Sequence, residues 1–89
     1  MHCPRCQCDI SLPTEIDMIE QRRIAIVAQQ NRLLAIQELQ NRTSLSLSQA
    51  KSYVIHLARE GGVCHRCDHR FEEYGPAYCP KCKSLNLYY

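Results

Sequence analysis

Seven cysteines stand among 89 residues, and their spacing sets out the chemistry open to the chain. Four of them form two close pairs, Cys64-His65-Arg66-Cys67 and Cys79-Pro80-Lys81-Cys82, with eleven residues between the pairs. A Cys-x-x-Cys turn offers two sulfurs to one side of an ion. Two such turns joined by a short hairpin complete the four-sulfur tetrahedron that structural Zn²⁺ takes. Cys64, Cys67, Cys79 and Cys82 are therefore expected to hold one Zn²⁺.

The other three cysteines open the chain as Cys3-Pro4-Arg5-Cys6-Gln7-Cys8, and no further knuckle follows before Cys64. A second Zn²⁺ is expected here on Cys3 and Cys6, with Cys8 as third ligand, because structural zinc is four-coordinate. The spacing leaves the shell open to three completions: a histidine of the same chain (His2, His65 or His69), sharing across a dimer, or no metal on reduced thiols. A three-thiol site with an open position would also suit another thiophilic ion. His56 is assigned to packing or the surface. His65 and His69 could stand in for a cysteine at the ribbon ion, but with four thiols at hand they read as exposed polar residues or as donors to the ligands. Redox chemistry is the rival use of Cys-x-x-Cys, but a thioredoxin-type site carries one such motif at the start of a helix in a βαβ unit.

An odd cysteine count and an opening Met-His-Cys-Pro without an apolar leader speak against a secreted disulfide framework, so a cytoplasmic location is expected. The longest strongly apolar stretches, such as Ile24 to Ala28, are far below the ~20 residues that cross a bilayer, and no membrane partner is expected. Net charge is only +2. Residues 1–20 carry one basic and four acidic side chains and residues 21–60 six basic and two acidic, an imbalance that permits contact with nucleic acid without the dense basic stripe that would argue for it.

Positioning these ligands falls to three segments: an N-terminal Cys knuckle (1–12), a helical segment (13–62) and a C-terminal ribbon (63–89). No cysteine lies in the 55 residues between Cys8 and Cys64. Thr14 can cap a helix, acidic residues fill its first turn, and neither Gly nor Pro interrupts the chain from there to Arg42, which predicts one long helix. Ile16, Ile19, Ile26, Val27, Leu33 and Leu34 fall on one stripe of it, while Ile36 and Leu39 fall off. The swing near residue 33 predicts two partners for the one helix, and a second copy of the chain is the candidate for the first half. Ser46 and Gln49 have capping-box spacing, Leu47, Ala50, Val54, Leu57 and Ala58 recur at helical spacing, and Gly61-Gly62 would end that helix. Residues 32–60 thus read as a helical hairpin. Residues 70–74 have strand character, Gly75-Pro76 reads as a turn and residues 85–89 as a closing strand. The fold class expected is a small α+β zinc protein: long helix, helical hairpin and C-terminal zinc ribbon behind an N-terminal knuckle.

Cys64-His-Arg-Cys-Asp-His-Arg-Phe and Cys79-Pro-Lys-Cys-Lys-Ser-Leu-Asn resemble the zinc-ribbon superfamily, found in hydrogenase-maturation nickel chaperones, RNA polymerase subunits and ribosomal proteins. The resemblance implies a fold rather than an activity. The glycine that often follows each knuckle is replaced here by Asp68 and Lys83. Residues 32–60 are similar, more loosely, to the helical hairpin of the bacterial ribosomal stalk protein's C-terminal domain, through Thr43, Leu45, Leu47, Ala50, Lys51 and Val54. Ser44 and Ser46 replace that family's glycines, and its basic surface is only partly present.

No paired carboxylates, phosphate-binding glycine loop or nucleophile–base pair occurs, so no enzyme is expected. The function expected is a non-catalytic zinc adaptor that docks on a protein partner in translation or transcription, or on nucleic acid, through the ribbon and Arg22, Arg23, Arg32, Arg42 and Arg59. The alternative is a metal-handling or metal-responsive protein with an exchangeable ion at the N-terminal knuckle.

Overall fold

The computed structural model describes residues 1–89. It contains three helices and two two-stranded antiparallel sheets. Strands β1 (His2–Cys3) and β2 (Cys8–Asp9) form a minute hairpin in which Cys3 lies opposite Cys8. No helix is long and apolar enough to cross a membrane.

The single long helix is replaced by two. Helix α1 (Met18–Gln30) is capped by Asp17 rather than Thr14, with the Glu20 N–H donating to the Asp17 carboxylate at 2.8 Å. It stops at Asn31, which is extended (φ −153°, ψ 102°), and α2 (Arg32–Arg42) begins at once. Asparagine competes well with a helical backbone because its side chain bonds local N–H groups. Here the Asn31 N–H closes α1 on the Val27 carbonyl at 2.8 Å, and its Oδ1 accepts from the Leu34 N–H at 3.1 Å. One residue thus ends one helix and caps the next.

This break accounts for the swing of the apolar stripe. Helix α1 buries Ile24 and Ala25, and Ile16 and Val27 pack against the chain's own core, while Ile19 and Ile26 stay 74% and 60% exposed. Helix α2 buries Ala35, Ile36 and Leu39, so the residues that fell off the stripe are its inner face, and Leu33 and Leu34 are exposed.

Helix α3 (Leu47–Ile55) starts with the reciprocal Ser46–Gln49 capping box. It ends at Ile55, well before Gly61-Gly62, because another partner claims the backbone. The His56 carbonyl accepts from the Leu87 N–H at 2.8 Å and the Ala58 N–H donates to the Leu87 carbonyl at 2.9 Å. Gly62 still has its reason. Its φ is +77°, and a Cβ there would lie 2.7 Å from the Tyr88 ring.

The C-terminal strands are β3 (Gly75–Tyr78) and β4 (Leu85–Tyr88), with Gly75 opposite Tyr88 and Tyr78 opposite Leu85. The expected turn at Gly75-Pro76 is therefore strand, and residues 70–74 are not; Arg70 makes only an isolated bridge to Val63. Pro76 lacks an N–H, which an edge strand tolerates. One core draws on all three segments, from Cys3 and Ile10 through Ile24, Leu39 and Tyr53 to Leu85 and Leu87.

Replacing Asn31 by Ala should destabilise the metal-loaded protein by about 1 kcal/mol in urea denaturation, since the α2 cap is lost. Helix α1 cannot simply run on, because the two helices bury different faces. Asn31→Asp, which keeps the capping oxygen, should stay close to the parent.

Candidate metal centres

All three Cys-x-x-Cys knuckles share one backbone pairing, between the first cysteine and the residue five positions on. The Cys64 N–H donates to the His69 carbonyl and the Cys79 N–H to the Ser84 carbonyl, each at 2.8 Å, and Cys3 pairs with Cys8 in the β1–β2 hairpin. The two Cys-Pro-x-Cys knuckles agree further. Gln7 and Lys83, each just after the second cysteine, have φ of +62° and +68°. Each donates its N–H to the first cysteine's carbonyl, Gln7 to Cys3 at 2.8 Å and Lys83 to Cys79 at 2.9 Å. This is the left-handed position where a glycine is often found, here taken by longer side chains at some backbone strain.

Two groups of ligand atoms result, each with its members within 4.8 Å of one another: Cys64, Cys67, Cys79 and Cys82; and Cys3, Cys6 and His56. Both could hold a metal ion. In the first, Cys64 Sγ lies 3.6 Å from Cys82 Sγ and Cys67 Sγ 3.4 Å from Cys79 Sγ. Tetrahedral Zn–S bonds of about 2.3 Å would set neighbouring sulfurs roughly 3.8 Å apart. Cys64 and Cys79 are fully buried. Outer partners fix the shell. The Asn86 side-chain amide donates to Cys64 Sγ at 3.2 Å while its oxygen accepts from the His65 N–H at 2.8 Å. Arg59 Nε donates to the Cys64 carbonyl at 2.9 Å, and the Arg59 guanidinium also reaches the Cys67 carbonyl.

The second group departs from the expected ligand set. Cys3 and Cys6 are present, but the third member is His56 of the α3 terminus, whose Nε2 lies 3.2 Å from Cys6 Sγ. Its Nδ1 is 2.7 Å from the Ser52 carbonyl. A carbonyl only accepts, so Nδ1 carries a proton and Nε2 is the ring nitrogen that faces the cysteines, the orientation of a metal-binding histidine. Cys3 Sγ accepts from the Leu85 N–H at 3.3 Å.

Cys8 is not in this group. It occupies the position that Ser84 has in the other Cys-Pro-x-Cys knuckle, and its Sγ is 3.6 Å from the Cys6 carbonyl. The three histidines weighed as completing ligands are held elsewhere. His2 contacts Asp9 and Gln7 through its two ring nitrogens, His65 Nε2 meets the Leu85 carbonyl at 3.0 Å, and His69 packs edge-on against Phe71. The only sequence trace of His56's role is that it lies three residues after Tyr53, on the face α3 buries.

Thiol acidities are uneven within each group. Burial opposes ionisation of Cys3, but the backbone N–H groups of Leu85, Cys6 and Arg5 outweigh it and bring the thiol down to about 6. Cys6 is pushed up to about 11 by burial and by the Cys8 thiol. At Cys82 burial is likewise outweighed, chiefly by Ser84, and the thiol falls to about 6. The His69 backbone N–H favours the Cys67 thiolate, yet desolvation and the Cys79, Cys64 and Cys82 thiols push it up to about 12. A first negative charge forms readily in each cluster and further ones are held off. A bound cation removes that obstacle. Burial, with His56 next to it, lowers His65 to about 4, so that ring is neutral at physiological pH.

Asn86→Ala should weaken metal binding at the four-thiol centre by ~10–100-fold, the usual cost of an outer-shell partner. Competition with a chelator measures this, and an unchanged affinity would show that Asn86 does not support the centre. No protein-family model matches the chain, and no curated protein or solved structure matches it either.

Proposed function

We propose that the chain is a non-catalytic zinc-binding adaptor in which Cys64, Cys67, Cys79 and Cys82 hold a structural Zn²⁺ in a zinc ribbon and the helices present an apolar face to a protein partner. The observation that carries this reading is the four-sulfur cluster itself. A donor set complete in four thiols leaves no position for substrate and puts its binding energy into folding.

The surface favours a protein partner over nucleic acid. Of the five arginines expected to face a polyanion, Arg42 pairs with Glu20 at 2.9 Å, Arg22 lies over the Tyr74 ring at 4.7 Å, and Arg59 holds the first knuckle. Only Arg23 and Arg32 are left from that set. Large apolar side chains are outward instead: Ile19, Ile26 and Leu33 on α1 and α2, and Leu47 and Ile55 on α3. Ile26 also lines a cleft of about 250 Å³ with Tyr74, Tyr88 and Tyr89. The similarity of residues 32–60 to a ribosomal stalk hairpin makes translation machinery one class of partner, and a second copy of the chain is another. A cytoplasmic protein fits these roles.

A second reading, a metal-responsive protein, is favoured by one feature: the Cys3–Cys6–His56 group offers only three ligands, one of them a histidine.

Cys79→Ser should release one equivalent of zinc and unfold residues 63–89, since structural zinc supplies on the order of 10 kcal/mol in small zinc domains. Metal analysis with an amide NMR spectrum tests this, and a variant that keeps its metal and its dispersed spectrum would sink the four-thiol assignment. For a partner that is a second copy, the double variant Ile19→Glu/Ile26→Glu should sediment as a monomer where the parent self-associates at high micromolar concentration; a parent that is already monomeric rules that partner out.

A further inference from the structure

From the arrangement of Cys3, Cys6 and His56 we infer a second metal site with an open fourth position, at which the bound ion takes a small external thiolate. The inference deepens the metal-responsive reading and rests on it, while the adaptor role does not depend on it.

Three observations converge. First, the donor set is built rather than accidental. Cys3 is 1% exposed. Its sulfur is held by the Leu85 N–H at 3.3 Å, and the His56 ring is fixed by the Ser52 carbonyl at 2.7 Å. Two of the three ligands therefore have an outer partner that sets their orientation. Second, the ligand group contains no fourth donor. In the ribbon a second knuckle supplies the missing pair; at the N-terminus that place falls to a single imidazole, and Cys8 stands at the position whose counterpart, Ser84, is outside the four-thiol group. Three protein ligands plus an open position is the pattern of zinc sites that bind an external ligand.

Third, the group lines a cavity of about 220 Å³ whose further wall includes Cys8, Ile55, His65 and Arg66. This volume exceeds that of one water several-fold, since a water takes ~30 Å³ of liquid. Two thiolates and a neutral imidazole cancel the charge of a divalent ion, so an anionic fourth ligand leaves a net negative charge, and Arg66 on the wall offsets it. The soft sulfur-rich set favours a thiolate over a harder anion. Loading balances simply. Cys3 and Cys6 give up their S–H protons as their sulfurs bond the ion, and the entering thiol gives up its own to solvent as its sulfur displaces water.

Cobalt(II) substitution of the full chain, kept reduced with a phosphine, tests this. A first equivalent should show the strong near-ultraviolet charge transfer of four thiolates. A second should add about half as much, for two thiolates, with tetrahedral visible bands. Adding 2-mercaptoethanol should then shift and intensify the second set alone. Cys6→Ser removes an exposed ligand and should abolish the second phase while sparing the first. His56→Ala should weaken that phase by more than the ~100-fold that losing an outer-shell partner costs, with the intact first phase reporting a folded chain. Cys8→Ser should change neither phase nor the response to thiol. Failure to bind a second equivalent overturns the site. A second phase of three-thiolate intensity that drops in Cys8→Ser, or one indifferent to 2-mercaptoethanol, overturns the open position. Failure of the ribbon reading appears separately, as a first phase without four-thiolate character.

Discussion

Strand β4 has to be buried from every side at once, and the arrangement of the other elements follows from that demand. Leu85, Asn86 and Leu87 are each fully buried. Leu85 and Leu87 enter the core shared with the helices, while Asn86 turns to the opposite face and reaches Cys64. One edge of the strand is taken by β3. On the other, the Leu85 N–H goes to Cys3 Sγ and the Leu87 N–H to the His56 carbonyl. A buried strand must satisfy its backbone groups, and here two of them are satisfied by the ligand regions of the N-terminal group. Neighbouring residues thus serve different sulfur clusters: Leu85 holds Cys3 and Asn86 holds Cys64.

This dependence explains which parts of the molecule were legible from the amino-acid order. The four C-terminal cysteines are legible as one group because a knuckle is local: its pairing joins the first cysteine to the residue five positions on and needs only Cys-x-x-Cys in a turn. The Ser46–Gln49 cap, also local, was readable for the same reason. The end of α3 was not, since the competing bonds to Leu87 come from the far end of the chain. Nor was the break at Asn31, where no Gly or Pro marks a stop and one amide side chain suffices. The stripe carries a true signal, the change of face near residue 33, and its cause is a corner in the chain between two helices.

The N-terminal site shows the same boundary more sharply. Cys3 and Cys6 are legible from their spacing, and Cys8 reads as a third ligand only because it is near in sequence. The pairing of Cys3 with Cys8 places that third thiol beside the knuckle rather than within the ligand group. His56, 50 positions from Cys6, is brought in by tertiary structure alone. A histidine on the buried face of a helix is an expensive residue to leave without a partner, and that cost, rather than any motif, is what its position records.

The two clusters also differ in how much chain must be gathered to make them. The four-thiol set spans 19 residues, from Cys64 to Cys82, and needs only short loops to close. The other joins Cys6 to His56 across 50 positions and seats Cys3 on Leu85 across 82. Closing longer loops costs more entropy, and a contact between distant segments can form only after both have been placed. Loop closure therefore favours the four-thiol segment, which is local, and makes seating the first ten residues on the free edge of β4 the more costly step. Whenever the hairpin of β1 and β2 lifts, Leu85 loses Cys3 and His56 loses Cys6 in the same event, so the strand edge and the imidazole are uncovered together.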